Sequence, residues 1–207
     1  MNDKKYEKIK KAVEKELSCS AHHLDHVMRV YNLCLRLARN EEVDLEVLKI
    51  SALLHDIARA KEDNDQSGEI DHAKLSAVMA RAILQKLDFP EEKIKHIQDC
   101  IISHRYRTGD GPTTKEARIL FDADKLDTLG AIGIARQFAW VGKNKANIYK
   151  KADIVNYAKD NLGGGKINGR IKDKTKHSPQ IEFVTKIKFI VKKLHTKEAK
   201  KMAEERI

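Results

Sequence analysis

Apolar residues recur along most of this chain at spacings of three and four, as on amphipathic helices, and no stretch alternates strictly in the manner of a half-buried strand. A helix is predicted over 4–17, with Tyr6, Ile9, Val13 and Leu17 on one face. Ser18-Cys19-Ser20 breaks it, and Ser20 is placed to cap the next helix. That second helix, over 22–40, carries His26, Val30, Leu33 and Leu37 on its apolar stripe, with Arg29 on the His26 side. A third, over 44–58, brings Leu45, Leu48, Ala52 and His55 to one face. Residues 59–70 read as a polar loop. Asp71-His72 opens a fourth helix with Leu75, Val78, Met79, Ala82 and Ile83 inward, and Asp88-Phe89-Pro90 turns the chain. A fifth helix presents Ile94, Ile97, Ile101 and Ile102 and ends at Ser103-His104, before a basic loop over 105–112.

Further helices are predicted over 114–126 and over 129–141. The latter is apolar on most sides (Ile132, Ile134, Phe138, Trp140) and therefore expected to be buried. From Gly142 to residue 179 the pattern dissolves into a basic, irregular excursion. Its Gly163-Gly164-Gly165-Lys166 lacks the glycine spacing and the following Ser or Thr of a phosphate loop, and reads as a flexible loop. Helical pattern returns over 180–194, and Thr196 caps a terminal helix to Arg206. The expectation is an all-α fold in a single domain over 1–207, with a core at about 20–140 and C-terminal helices over 180–207 packing back.

Composition supports this picture. Hydrophobic residues make up 41%, enough for a sizeable core, and proline is scarce. Residues 1–142 carry 23 basic and 24 acidic side chains and residues 143–207 carry 18 and 7, so the formal charge of +10 belongs to the C-terminal third. Such a tail is either a solvated face or an attractor for a polyanion such as nucleic acid or a phosphorylated substrate. Cys19, Cys34 and Cys100 are too far apart for a metal site and read as reduced thiols. With no apolar run long enough to span a bilayer and no apolar leader, a cytoplasmic location is expected.

Against this apolar background a few polar residues stand out. His55 and Asp56 sit side by side at the end of Leu53-Leu54. Asp56 lies about 100° further round the helix, so both side chains can converge at a groove edge. Either they form a buried ion pair, or they are two ligands of one metal ion, since burying them unpaired costs about 1–3 kcal/mol or more each. Asp122, Asp124 and Asp127 cluster within six residues of an apolar segment, which calls for a compensating cation or basic partner.

Taken together, His26-Val27-Met28-Arg29-Val30, Leu53-Leu54-His55-Asp56 and Asp122-Ala123-Asp124-Lys125-Leu126-Asp127 resemble the ordered motifs of the HD-domain metal-dependent phosphohydrolases. The run Gly130 to Arg136 and the ending Thr196 to Arg206 are similar to a subgroup of small stand-alone bacterial and archaeal members. His23 departs from the pattern, standing where relatives often have aspartate after the residue matching His22.

The resemblance implies an HD-domain helical bundle with added C-terminal helices and one divalent ion (Mn, Mg, Fe, Ni or Zn) held by His26, His55, Asp56 and Asp124. It implies hydrolysis of a phosphate ester or anhydride, most readily of a nucleotide, by a metal-activated water, with Asp56 and Asp127 as the catalytic carboxylates. His22, Arg29, Arg59, His72, Lys74, His104 and Lys125 are the candidate substrate contacts. Some relatives with the order His, His-Asp, His, His, Asp hold two metals, so a second ion through His72 and His104 stays open. Glu62 and Asp63 resemble the catalytic acids of alarmone-hydrolysing relatives. Two rival readings also remain: a di-iron oxygenase-type enzyme using His72 and His104, and a nucleic-acid-binding or regulatory module with a vestigial site.

Overall fold

The computed structural model describes residues 3–17, 24–65, 67–106, 111–167 and 169–207. Among them the protein is all-α, without a strand; one isolated antiparallel bridge joins Leu162 and Ile171. The predicted cap at Ser20 and the predicted contact at His22 lie outside the described residues. No helix among the described residues is long and apolar enough to cross a membrane.

The chain divides into two compact units, the first ending at Asp124 and the second beginning at Lys125. In the first unit, helices α1 (Asp3–Glu16), α2 (Leu24–Leu37), α3 (Leu45–Leu54), α4 (Arg59–Asn64), α5 (His72–Gln85) and α6 (Glu91–Ser103) precede most of α7 (Lys115–Leu126). The central element is α3, which packs on α1, α2, α5 and α6. Its residues Val47, Leu48, Ile50, Ser51, Ala52, Leu53 and Leu54 are all buried, so it is apolar around its circumference rather than along a stripe. Leu45, expected on that stripe, is 48% exposed, because it occupies the first turn, where Asp44 caps the amides of Glu46 and Val47 at 2.9 and 3.1 Å.

The inward face of α5 differs from the expected one. Ala73, Ser76, Ala77, Ala80 and Leu84 are buried, whereas Val78 is 62% exposed. Small residues line the contact and let α5 lie close against α6 and α3, while Leu75, Met79 and Ile83 fill its half-buried edges. Ile102 likewise turns outward from α6, where Ile94, Ile97, Cys100 and Ile101 are buried. The turn after α5 ends the helix by backbone geometry: Asp88 adopts φ +52°, and the amides of Asp88 and Phe89 reach back to the carbonyls of Gln85 and Leu84. Residues 59–64, expected in a loop, form α4.

The second unit contains α8 (Gly130–Lys143), α9 (Ile154–Asn161), α10 (Pro179–Thr185), α11 (Ile190–Lys193) and α12 (Lys197–Glu204), with 3-10 turns at Gly163–Gly165, Lys174–Lys176 and Ile187–Phe189. The expected single helix over 180–194 is thus broken, at Lys186, whose φ of −140° is not helical. Nor is α8 buried as predicted: Ile132, Ile134 and Phe138 are exposed, and only Gly133 and Val141 are buried along it.

The stretch 142–179, expected to be irregular, carries α9 and a small core of its own. Tyr157, Ala158, Leu162 and Ile181 pack with Ala152, Ile154 and Ile171. A chain of hydrogen bonds crosses it. Asn161 Nδ2 donates to Tyr157 Oη at 2.9 Å, Tyr157 Oη and His177 Nδ1 are bonded at 2.7 Å, and His177 Nε2 donates to Glu182 Oε2 at 3.1 Å. The glycine run is an ordered turn: Gly163 N donates to Arg170 O at 2.7 Å, and a Cβ on Gly169 would fall 2.1 Å from the carbonyl oxygen of Gly163. Thr196 caps α12 through the amide of Ala199 at 3.2 Å, as its sequence predicts.

Candidate metal centre

Six polar side chains of the first unit converge because the helices that carry them begin or end at one place. His26 lies in the first turn of α2, on the buried side with Val27 and Val30. His55 follows the last residue of α3 and Asp56 follows it in the turn. His72 opens α5, whose start is capped by the Asp71 carboxylate. His104 follows the last residue of α6, and Asp124 stands in the last turn of α7. All are buried.

Asp56 is the hub. Its Oδ2 lies 3.6 Å from His26 Nε2 and 3.8 Å from His55 Nε2. Its Oδ1 lies 3.3 Å from His72 Nε2 and 3.6 Å from His104 Nε2. Asp124 Oδ1 is 3.5 Å from His26 Nε2. The imidazoles form an edge-to-face chain, with centroid separations of 5.4 Å between His26 and His55, 5.1 Å between His55 and His104, and 5.3 Å between His104 and His72. Ligand atoms of His26, His55 and Asp124 lie within 4.8 Å of one another, as do those of His55, Asp56 and His104.

The main chain determines which nitrogen faces inward. His55 Nδ1 lies 2.8 Å from Ala52 O, and His104 Nδ1 makes the same bond to Ile101 O. A carbonyl only accepts, so each Nδ1 carries the hydrogen, and each ring in its neutral form turns an Nε2 lone pair toward Asp56. His55 Nε2 makes no hydrogen bond among the described residues. Burial lowers the His55 pKa to about 4, so the ring is neutral at neutral pH. Imidazole lone pairs and carboxylate oxygens converging in a buried space repel one another unless a cation lies among them. This donor set, nitrogen and oxygen without thiolate, fits a divalent ion.

Behind His72 lies a second polar group. Glu62 Oε2 is 2.8 Å from His72 Nδ1, and Arg59 and Arg105 flank the carboxylate. Burial would raise Glu62, but His72 and the two guanidinium groups bring it down to about 2. The sequence points only vaguely to this group, because Glu62 falls in a stretch that reads as loop. The i, i+3 spacing of Arg59 and Glu62 is the signal that would place both on one helical turn.

The other candidate contacts lie as follows. Arg29 is paired with Asp25 at 2.7 Å, and Lys74 is exposed on α5. Arg59 Nη1 is 3.0 Å from Glu62 Oε2, and its Nε is 3.5 Å from Asp63 Oδ1. Lys125 and Asp127 belong to the second unit, both buried, and Asp127 Oδ2 accepts from Arg136 Nη1 at 2.9 Å.

This is an all-α protein whose helix termini gather four histidines and two aspartates into one buried centre. The chain belongs to the HD-domain family, whose pattern matches residues 24–129, more than half of its length. It is 28% identical over 140 residues to the uncharacterized protein YpgQ of Bacillus subtilis (strain 168), a match that covers 63% of this chain and 62%, less than two thirds, of YpgQ. Among solved structures, a Lactobacillus plantarum protein superposes with a TM-score of 0.75 at 22% identity, covering 99% of this chain and 91% of that one. B. subtilis YpgQ in complex with ADP gives 0.68 at 23%, covering 97% and 88%. A predicted HD-superfamily hydrolase from an uncultured Thermotogales bacterium gives 0.59 at 27%, covering 96% and 80%. The fold is that of the HD-superfamily hydrolases.

Proposed function

We propose that this protein is a metal-dependent phosphohydrolase that cleaves a phosphate ester or anhydride, with a nucleotide as substrate. The observation that carries the reading is Asp56, buried with two histidine Nε2 atoms facing each of its oxygens. His26, His55, Asp56 and Asp124 would hold a divalent ion, which when bound would supply Lewis acidity toward a phosphoryl oxygen and toward water. The chain's own contribution is orientation. Ala52 O fixes the His55 ring, and the end of the apolar α3 fixes Asp56. YpgQ has been solved with ADP, which supports a nucleotide over other phosphate esters.

A second reading follows from His104. With its Nδ1 hydrogen committed to Ile101 O, His104 faces Asp56 Oδ1 through Nε2 at 3.6 Å, beside the Nε2 of His72 at 3.3 Å from the same oxygen. This favours His72 and His104 as ligands of a second ion beside Asp56 Oδ1 over contacts to substrate.

The test is a matrix of divalent metals against nucleotides and simpler phosphate esters, run on the wild-type chain and on Asp56→Ala, with bound metal measured in parallel. Metal-dependent turnover that disappears with Asp56 supports the reading. Unchanged metal content and turnover in Asp56→Ala overturn it.

A further inference from the structure

The cluster behind His72 has a different task from the centre it adjoins. Glu62 is 5% exposed, and both of its oxygens are engaged. Oε2 faces His72 Nδ1 at 2.8 Å and Arg59 Nη1 at 3.0 Å, and Oε1 accepts from Arg105 Nη2 at 2.9 Å. Arg105 Nη1 continues to Asp71 Oδ1 at 2.7 Å, the carboxylate that caps α5. One guanidinium thereby joins the end of α6, the start of α5 and the α4 helix around a single imidazole.

We propose that Glu62 is the positioning residue for His72. It accepts the Nδ1 hydrogen, fixes the tautomer and directs the Nε2 lone pair at Asp56 Oδ1, 3.3 Å away. The assignment deepens the metal-centre reading and rests on it for its purpose, because a carboxylate–histidine pair of this kind orients an imidazole toward a cation.

The tautomer follows from competition at Nδ1. Two donors also approach that atom, Arg59 Nη1 at 3.1 Å and Arg105 Nη1 at 3.4 Å, and each would favour a lone pair there. The carboxylate prevails for two reasons. It is the nearest neighbour, and each guanidinium nitrogen has a carboxylate oxygen closer than Nδ1, at 3.0 Å for Arg59 and 2.7 Å for Arg105. A bare Nδ1 would also set two lone pairs against each other at 2.8 Å in a buried site, where such repulsion is poorly screened. Glu62 faces the Nδ1 edge of the ring, and Asp56 the Nε2 edge. Resemblance to alarmone-hydrolysing relatives suggests an acid–base role for a carboxylate at this place. Held by two cations and one imidazole, Glu62 instead positions and does not exchange protons with the reacting groups.

The experiment is nitrogen-15 NMR of the full chain labelled at histidine, metal-free and at about pH 8, above the ordinary histidine range. The His72 resonances are assigned with His72→Gln. Wild type is expected to show Nδ1 protonated and Nε2 bare. Glu62→Gln keeps that state, since its amide oxygen still accepts. Glu62→Ala inverts it, because only guanidinium donors then face Nδ1. Mn²⁺ affinity should fall about 10- to 100-fold in Glu62→Ala and recover largely in Glu62→Gln. The pH–rate profile of Glu62→Gln should retain both limbs of wild type. A wild-type Nε2–H tautomer, or Glu62→Ala with unchanged tautomer and affinity, overturns the proposal. So does loss of the acidic limb in Glu62→Gln, which would make Glu62 a proton-transfer group. Failure of the metal reading looks different: wild type would bind no Mn²⁺ while the His72 tautomer, measured without metal, stayed as assigned.

Discussion

His104 donates its Nδ1 hydrogen to the carbonyl of Ile101, one turn back along its own helix, so the nitrogen it turns to Asp56 is Nε2. His55 repeats the relationship with Ala52. Two of the four imidazoles are therefore fixed by main chain alone, and substitutions here have directional consequences.

His104→Ala should remove one ion and leave the other. His26, His55 and Asp124 stay within ligand distance of one another without it. Elemental analysis after loading with Mn²⁺ is expected to give two ions per wild-type chain and one per variant chain. Equal stoichiometry in both would place His104 outside the ligand set.

Acid should destabilise the metal-free protein in two stages. His55 has its pKa depressed to about 4 from an ordinary 6.5, so between those values the unfolded chain binds the extra proton. Its contribution is complete above 6.5 and is lost as pH falls toward 4. It amounts to about 3 kcal/mol as an upper bound. Glu62, lowered from 4.5 to about 2, adds a second loss at lower pH, since its folded carboxylate resists protonation. Urea titrations of EDTA-treated protein at a series of pH values would reveal this, and His55→Phe should abolish the upper stage.

Arg136→Ala should destabilise the second unit by about 3 kcal/mol, because Asp127 is 3% exposed and its Oδ2 receives Arg136 at 2.9 Å. Arg136 also donates to the Asp127 main-chain oxygen at 3.2 Å. Replacing both residues, as in Asp127→Asn with Arg136→Met, should cost less than removing the cation alone. A double-mutant cycle in denaturant reads this out, and strict additivity would count against the pairing.

Two glycines of α8 should respond in opposite senses. A Cβ on Gly133 would meet Thr128 O at 2.1 Å, whereas nothing lies within 4 Å of a Cβ on Gly142. Gly133→Ala is expected to cost about 1–3 kcal/mol through displaced backbone. Gly142→Ala should instead stabilise by about 0.5 kcal/mol, through lower unfolded-state entropy. Thermal melts of the two variants, compared with wild type, test the pair.

Much of the first unit can be read from periodicity: α1 buries Ile9 and Val13, α2 buries His26, Val30 and Leu37, and α6 buries Ile94, Ile97 and Ile101, though not Ile102. The ligand candidates were legible for a related reason: a histidine on an apolar stripe is conspicuous. What escaped were features set by packing rather than by pattern. The buried side of α5 is chosen by close approach of Ala73, Ala77 and Ala80, and hydrophobicity gives such small residues little weight. The exposed Ile134 and Phe138 of α8 show the reverse, apolar residues that the described structure does not cover. Glu62 is conspicuous only by resemblance, and its tie to His72 is hidden because its partners, Arg105 and His72, lie 43 and 10 residues away in sequence.

The wholly buried α3 has one more consequence. Its C-terminal end delivers His55 and Asp56 into a space where lone pairs face lone pairs, so without a cation the fold must tolerate a standing electrostatic penalty. The helix residues from Val47 to Leu54 are the counterweight, since the hydrophobic contacts that seat them do not depend on what fills the centre. This separates folding from loading: the chain can assemble first and capture its ion afterwards. A variant with a depleted α3, such as Leu48→Ala, would shift toward a protein that is fully folded only in the presence of its ion.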